Sequence, residues 1–228
     1  MRSLFRKSYH QTAERQGWNL VPDKSANLTP HSVRTILDAG TGRGMRLAYF
    51  LQLFPYAIVH CFEPDLAAFE RLEKQYSKHR RVILNRMALC GSSGLSPINN
   101  SKTPCLRPVQ IFDGTELALP DEHLVRITVD DYSRVCRIDE IDLLRLPGTA
   151  TEVSLYNGAR VQLADGAIRA LLIPFQPGAA EEEAAVTEIA TLNRGLERQG
   201  FALKGIKGSC DAEDKFYGHM LYAKQQSV

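Results

Sequence analysis

The sequence lacks the features that mark several classes of protein. Its 228 residues include five cysteines, an odd number with no C-x-x-C pair, which argues against a disulfide framework and against a zinc site. No apolar run approaches the roughly 20 residues that span a bilayer, and the basic start has no apolar segment of a secretion signal. We therefore expect a cytoplasmic protein with no metal site and no membrane partner.

An excess of one charge sign is also missing. The 28 Lys and Arg residues are balanced by 26 Asp and Glu residues, which gives a formal net charge of +2. Such a balance creates no strong field for a polyanion, so we expect no nucleic-acid partner. The sequence has neither a P-loop nor a G-x-S-x-G nucleophile elbow, and its six histidines show no metal-ligand spacing.

Strand-like and helix-like patterns alternate from residue 33 onwards. Apolar strand-like runs are predicted at residues 33–37, 57–62, 82–89, 141–146 and 168–173, with helices at 43–54, 65–76, 131–135, 149–156 and 181–199. This alternation indicates a mostly parallel sheet with right-handed crossovers. Two last strands, at 201–206 and 216–223, are predicted to pair antiparallel at one edge.

The domain organisation follows from where this alternation begins and where it is interrupted. Residues 1–32 are predicted to form an N-terminal arm. Residues 33–228 then form one domain, in which the Gly-, Ser-, Asn- and Pro-rich segment near 90–126 is predicted to be a β-rich insertion.

A glycine-rich turn follows the first predicted strand and is the candidate ligand-binding segment. It runs Asp38, Ala39, Gly40, Thr41, Gly42, Arg43, Gly44. Ligands of open parallel sheets bind outside the carboxyl ends of the strands, and glycines let the backbone turn tightly there. Glu63, 25 positions after Asp38, ends the second strand where an acid accepts hydrogen bonds from ribose hydroxyls, and Pro64 fixes the turn behind it.

The details of the turn favour S-adenosylmethionine over a dinucleotide. In the dinucleotide pattern G-x-G-x-x-G the third glycine falls at position 45, but here it is at Gly44 and position 45 is Met45. Asp38 is an acid that would repel a pyrophosphate but suits a ligand with an ammonium group and no phosphate. A nicotinamide oxidoreductase is therefore disfavoured, although it remains an alternative.

Together, these segments resemble class I methyltransferases and, among them, the FkbM-type family. The resemblance is carried by Asp38 to Gly44, by Glu63 and Pro64, and by the runs VILNRMAL, TVDD and IDLLRL that precede Glu152. It covers about residues 33–175. It implies a Rossmann-like α/β fold with a mostly parallel seven-stranded sheet and helices on both faces. It also implies S-adenosyl-L-methionine as cofactor. Met87 and Ala88 are then cofactor-site residues where the chain passes the adenine, either as core and cleft wall or, for Ala88, as a residue that frames the base.

The sequence departs from the family where the methyl acceptor would bind. The family has lysine-isoleucine-aspartate-x-glutamate-glycine after the fourth strand and a glutamate at the end of the fifth. Here the positions of those three acids hold Pro147, Thr149 and Pro174. Candidates for a catalytic role are Arg145, which could bind an acidic acceptor or pair with a nearby acid, Glu152, which could be a solvated helix acid, and His60, which could be a packed strand residue.

The resulting functional hypothesis is an S-adenosylmethionine-dependent methyltransferase. The resemblance implies O-methylation of a small molecule such as a sugar or a specialised metabolite. The alternative is a catalytically inactive relative that serves as a cofactor-binding or partner subunit. This alternative is open because the region where the methyl acceptor would bind lacks the three acids of the family. A homo-oligomer or a partner protein is compatible with either.

Overall fold

The computed structural model describes residues 23–24, 26–97, 106–110, 116–120, 123–147, 152–175, 182–210 and 216–225. Most of the predicted arm over residues 1–32 lies outside these ranges, as do Thr149 and the start of the helix predicted at 149–156. The division of the chain into an arm and a domain therefore stays a prediction.

The described residues form twelve strands and six helices. The strands are β1 (Thr35–Ala39), β2 (Ile58–Phe62), β3 (Val82–Asn85), β4 (Ala88–Leu89), β5 (Gly94–Pro97), β6 (Leu106–Gln110), β7 (Glu116–Pro120), β8 (His123–Ile127), β9 (Leu143–Arg145), β10 (Ala170–Phe175), β11 (Phe201–Cys210) and β12 (Phe216–Lys224). The helices are α1 (Met45–Leu53), α2 (Leu66–Tyr76), α3 (Val129–Cys136), α4 (Glu152–Asn157), α5 (Arg160–Ala164) and α6 (Glu182–Arg198).

Seven of the strands form one sheet in the order β11-β12-β10-β9-β1-β2-β3. β3, β2, β1, β9 and β10 are parallel, while β12 is antiparallel to both of its neighbours, β10 and β11. The chain runs from β1 outwards to β3 and then returns to the other side of β1 at β9. The gap between β1 and β9 is thus the topological switch point, where ligands of such sheets bind.

Helices pack on both faces of this sheet, so its central strands are apolar on both sides. One face packs against α1 and α2 through residues such as Leu47, Phe50 and Leu72. The other face packs against α3 to α6 through residues such as Tyr132 and Leu196. The predicted α/β fold, with a mostly parallel seven-stranded sheet and helices on both faces, is confirmed.

For two elements, the structure explains why the observed bounds differ from the predicted ones. The strand predicted at 82–89 is divided: β3 ends at Asn85, and Ala88–Leu89 pairs with β8 in a separate three-stranded sheet. The helix predicted at 131–135 already begins at Val129, because the Thr128 side chain accepts a hydrogen bond from the Asp131 N–H and caps it.

Within residues 90–126, β5 pairs antiparallel with β8, and β6 pairs antiparallel with β7. At the far edge of the main sheet, β11 has a register shift between Leu203 and Gly205 and carries Lys204 and Lys207. A bulge and lysines on an edge strand discourage pairing with a second chain.

In the described part of the chain, no helix has the length and apolarity needed to cross a membrane. The same residues contain no group of three or more His, Cys, Asp or Glu side chains placed to hold a metal ion.

Candidate functional site

The turn between β1 and α1 has a backbone that only glycine adopts readily. Gly40, Gly42 and Gly44 have φ angles of 68°, 61° and 79°, all in the left-handed region. A Cβ at Gly40 would lie 3.1 Å from Pro147 Cβ, whereas a Cβ at Gly42 would meet no atom of the described residues within 4 Å. Among these residues, the turn is therefore packed at Gly40 against the residue that follows Leu146 after β9 and is open at Gly42, where a ligand can approach the backbone.

Backbone hydrogen bonds hold this turn at the carboxyl end of β2. The N–H groups of Gly40 and Thr41 both donate to the Phe62 carbonyl, at 2.9 and 3.1 Å. The Thr41 hydroxyl donates to the Asp38 carbonyl at 3.0 Å, and Thr41 is only 2% exposed. The Thr41 side chain is therefore buried within the turn and does not face the open side of Gly42.

Glu63 joins the ends of the first two strands, as expected from its position after β2. One carboxylate oxygen accepts from the Gly42 N–H at 2.6 Å, and the other accepts from the Asp65 N–H at 2.9 Å. Glu63 is 7% exposed, and each of its carboxylate oxygens accepts one of these backbone hydrogen bonds. Each carboxylate oxygen has a second lone pair, so Glu63 retains capacity to accept from ligand hydroxyls.

Asp38 is not an isolated acid, because it forms an ion pair with Arg145. The two residues lie opposite each other on β1 and β9, both side chains are fully buried, and Arg145 Nη1 is 3.1 Å from Asp38 Oδ1. Nη1 also donates to the carbonyls of Ala39 and Gly40, at 2.5 and 3.0 Å. Of the two alternatives for Arg145, the geometry thus shows pairing with a nearby acid, and its catalytic role stays a prediction.

The second carboxylate oxygen of Asp38 is left for a further donor. Oδ2 is buried and has no hydrogen-bond partner among the residues that the structure describes. Burying an acceptor without a donor lowers the stability of a fold, so an atom of this kind needs an explanation. The open side of Gly42 and this oxygen together fit a small ligand that carries hydrogen-bond donors.

Arg46 is a second cation at the turn, and the sequence patterns gave no reason to single it out. It follows Met45 in the first turn of α1, and its Nη2 donates to the Gly40 carbonyl at 3.1 Å. The signal was available in principle, because side chains early in a helix point back towards its N-terminus and therefore towards the turn.

The predicted adenine side lies beyond the end of β3. The Glu63 N–H donates to the Asn85 carbonyl at 3.1 Å, which places the ends of β2 and β3 side by side. Met87 is buried, whereas Ala88 and Pro64 are half-buried. Their contacts with a cofactor stay predictions.

His60 belongs to a buried polar cluster with Tyr132 and Asn85. Its Nδ1 lies 2.7 Å from the Tyr132 hydroxyl oxygen, and Asn85 Nδ2 donates to that oxygen at 3.2 Å and to the Cys61 carbonyl at 3.1 Å. His60 is 6% exposed, and burial lowers its pKa to about 4. A neutral, packed imidazole in this position stabilises the sheet–α3 interface, and a catalytic role for His60 stays an untested prediction.

The acceptor side is described only in part. Pro147 follows β9 beside Gly40, and Pro174 lies on β10 opposite His219 of β12. Glu152 begins α4, but neither its side chain nor Thr149 is among the described parts. His219, which is 5% exposed, was not predicted as a site residue because only strand pairing brings it beside Pro174.

A cavity of about 200 Å³, lined by residues such as Asp142, Arg169 and Lys224, lies at the opposite end of the sheet. The Asp142 carboxylate accepts there from the backbone N–H groups at the start of β1 and pairs with Arg169 at 2.6 Å. These contacts hold the strands together, and we place the candidate site at the glycine turn because the switch point lies there.

Solved structures of methyltransferases have a similar fold. Aeropyrum pernix fibrillarin with natively bound S-adenosyl-L-methionine is 13% identical and matches 85% of this chain and 67% of its own, with a TM-score of 0.52. An rRNA methylase from Streptococcus thermophilus is 14% identical over 97% of this chain and 96% of its own, with a TM-score of 0.49. The fibrillarin pre-rRNA processing protein of Methanococcus jannaschii is 11% identical over 86% and 69%, with a TM-score of 0.46. No model of a protein family matches the sequence, and no curated protein matches it.

The prediction that nucleic acid is excluded as a partner is wrong. The Aeropyrum pernix protein of similar fold is a fibrillarin, and a fibrillarin is described as a pre-rRNA processing protein. The physical error was to argue from the net charge of +2, since a sum over the whole surface does not exclude a local basic region. At these low identities the comparisons establish a shared fold: the chain has the fold of class I S-adenosylmethionine-dependent methyltransferases.

Proposed function

We propose that this protein binds S-adenosylmethionine at the β1–α1 turn and transfers the methyl group to an acceptor. The observation that carries the proposal is the position of Glu63, whose carboxylate connects the open side of Gly42 with the end of β2. In this assignment Glu63 accepts hydrogen bonds from the ribose hydroxyls, and the buried Oδ2 of Asp38 accepts from the ammonium group. Met87 and Ala88 border the adenine.

When it is bound, the sulfonium of the cofactor supplies an electrophilic methyl group. The contribution of the chain is then to place the cofactor and acceptor in line and to exclude water, which can account for much of the acceleration of such a transfer. Pro147 and Pro174 supply no charge and no proton-transfer group on the acceptor side. The finer hypothesis is FkbM-type O-methylation of a small molecule. It rests on the sequence resemblance over residues 33–175 alone.

A second candidate function is a cofactor-binding protein without turnover. It is favoured by the same two prolines, which lie where the resembling family has acids. Incubation with S-adenosylmethionine labelled in its methyl group, with separate small-molecule and RNA extracts as acceptors, distinguishes the two. Label in either extract supports a transferase and identifies the acceptor class, whereas cofactor binding without label in any extract supports the second candidate.

Replacing Glu63 with alanine is expected to weaken the binding of S-adenosylhomocysteine at least tenfold, because the ribose loses its charged acceptor. Titration calorimetry measures this directly, and NAD titrated in parallel tests the oxidoreductase alternative. Asp65→Asn is the matched control. It removes a neighbouring negative charge but leaves an Asn able to accept from the Ala68 N–H that Asp65 now caps, so its affinity should stay within about twofold of wild type.

Two results would contradict this assignment. Unchanged affinity in Glu63→Ala would remove the ribose role of Glu63. Binding of NAD without binding of S-adenosylhomocysteine would overturn the proposed cofactor altogether.

A further inference from the structure

A basic and aromatic surface lies at the end of the main sheet opposite the glycine turn. Arg34 precedes β1, Tyr56 lies two residues before β2, and Lys78 and Arg80 lie in the loop before β3; we call these four residues the amino-edge surface. The amino ends of parallel strands meet at one edge of a sheet, and here the Ile58 N–H donates to the Arg34 carbonyl at 2.7 Å. The three segments therefore lie side by side across three neighbouring strands, which together span about 10 Å.

Tyr56 is the aromatic residue of the amino-edge surface. It is 53% exposed, although the Arg34 guanidinium carbon lies 4.9 Å from the centroid of its ring. The ring of the exposed His31 lies 5.6 Å from the same centroid, at an interplanar angle of 46°. Arg34 thus holds the Tyr56 ring by a cation–π contact, while about half of the residue stays accessible. Accessible aromatic rings and guanidinium planes are the groups on which nucleobases stack.

Among the described residues, no acid forms a salt bridge with the cations of the amino-edge surface. Arg34, Lys78 and Arg80 are all exposed, and none of them belongs to an ion pair. Asp142 accepts from the Arg34 backbone N–H, but it is 3% exposed and pairs with Arg169 at 2.6 Å. The surface therefore carries a local excess of positive charge that suits an anionic partner, in a protein whose net charge is only +2.

Arg81 fixes the basic loop in place. Its guanidinium donates to three backbone carbonyls between Leu51 and Ala57, at distances of 2.9 to 3.3 Å. The Arg81 carbonyl accepts from the Val59 N–H at 2.9 Å. These bonds tie the loop to the end of α1 and to β2. The charges that precede Arg81 in the loop are therefore presented at a defined position beside Tyr56.

We propose that the amino-edge surface binds single-stranded nucleic acid, with a base stacked at Tyr56 and with phosphates beside Arg34, Lys78 and Arg80. Stacking combined with phosphate contacts is how proteins bind single strands without reading their sequence. The surface lies at the amino ends of the strands, whereas the glycine turn follows the carboxyl end of β1. The strand is thus held away from the turn, and the inference goes beyond the proposed function because it does not require methyl transfer.

Fluorescence anisotropy with a fluorescein-labelled oligouridylate tests the charged part of this surface. A triple variant with Arg34→Gln, Lys78→Gln and Arg80→Gln should bind at least tenfold more weakly than wild type. The slope of log K against log salt concentration should become shallower by about 2, because each of the three lost phosphate contacts contributes about 0.7 on a single strand.

Tyr56→Leu tests the stacking part with the same probe. It should weaken binding at least fivefold, because a base loses its aromatic partner. The salt slope should stay at the wild-type value, because the substitution removes no charge.

The matched control is a triple variant with Arg194→Gln, Arg198→Gln and Lys204→Gln. It also removes two arginines and one lysine from exposed positions, but from α6 and β11, and β11 is four strands away from β1 in the sheet. It should keep the wild-type salt slope and an affinity within about twofold of wild type.

Three results would overturn the proposal. They are wild type that does not bind the oligouridylate, equal weakening by the two triple variants, and unchanged affinity in Tyr56→Leu. Because these titrations contain no cofactor, their outcome is independent of the proposed function. Thermal unfolding of each variant confirms that the compared proteins are folded.

Discussion

Replacing Arg145 with methionine is expected to lower the free energy of unfolding by about 3–5 kcal/mol. The substitution leaves Asp38 as a fully buried carboxylate without its cation. It also removes a donor to the carbonyls of Ala39 and Gly40, of which Gly40 keeps the bond from Arg46 Nη2. An unpaired buried charge and an unsatisfied buried carbonyl are among the few mechanisms that cost this much in a single substitution. Urea unfolding of variant and wild type measures the difference.

The matched control for this experiment is Arg134→Met. Arg134 pairs with Asp131 at 2.6 Å, but the two side chains are 77% and 36% exposed, so water replaces the lost partner and the cost should stay below about 1 kcal/mol. Adding Asp38→Leu to Arg145→Met should recover part of the loss, because it removes the uncompensated charge. Equal effects of Arg145→Met and Arg134→Met would show that the buried pair does not stabilise the fold.

His60 is expected to make the protein less stable as the pH falls from about 6.5 to about 4. Its pKa is about 4 in the folded protein, below the ordinary value of 6.5, so the unfolded chain binds the proton first and protonation favours unfolding. The contribution is fully present above about pH 6.5 and amounts to about 3 kcal/mol lost by pH 4. Urea unfolding at several pH values gives the profile.

The variant His60→Gln isolates this effect from the titration of carboxylates. Its stability at neutral pH is expected to be lower, because the cluster with Tyr132 and Asn85 is disturbed. Its decline between pH 6.5 and 4 should nevertheless be shallower than in wild type. His31→Gln, at an exposed position, should keep the wild-type profile. A His60→Gln profile parallel to that of wild type would assign the acid sensitivity to other groups.

Features encoded in short stretches of the chain could be predicted from the sequence. The glycine spacing at Gly40, Gly42 and Gly44 indicated a tight turn, and all three residues have the left-handed backbone that such a turn needs. Glu63 was expected near that turn because carboxyl ends of parallel strands meet at one edge, and it bonds to the Gly42 N–H. The mostly parallel sheet followed from the alternation of strands and helices, and the antiparallel pairing of the last two strands at one edge is confirmed.

Features that depend on pairing between distant segments could not be predicted in the same way. Asp38 and Arg145 are brought together only because β9 pairs with β1, so the sequence left open whether Arg145 binds an acceptor or an acid. Residues 82–89 were predicted as one strand because they are apolar on both sides of Asn85 and Arg86, but the chain changes sheets at this polar pair, and Ala88–Leu89 pairs with β8. His219 and Pro174 become neighbours only through the antiparallel pairing of β12 with β10.

The place of β12 between β10 and β11 has a consequence for how the protein is made on the ribosome. Both neighbours are synthesised earlier, yet neither can pair with the other, because β12 separates them. Until residues 216–224 emerge, the nascent chain therefore presents an open sheet edge at β10 and an unpaired segment at β11, and the unpaired N–H and C=O groups of such segments are sites of aggregation. Closure of this part of the sheet is a late step, in which β12 adds to the edge of β10 and provides the edge on which β11 pairs.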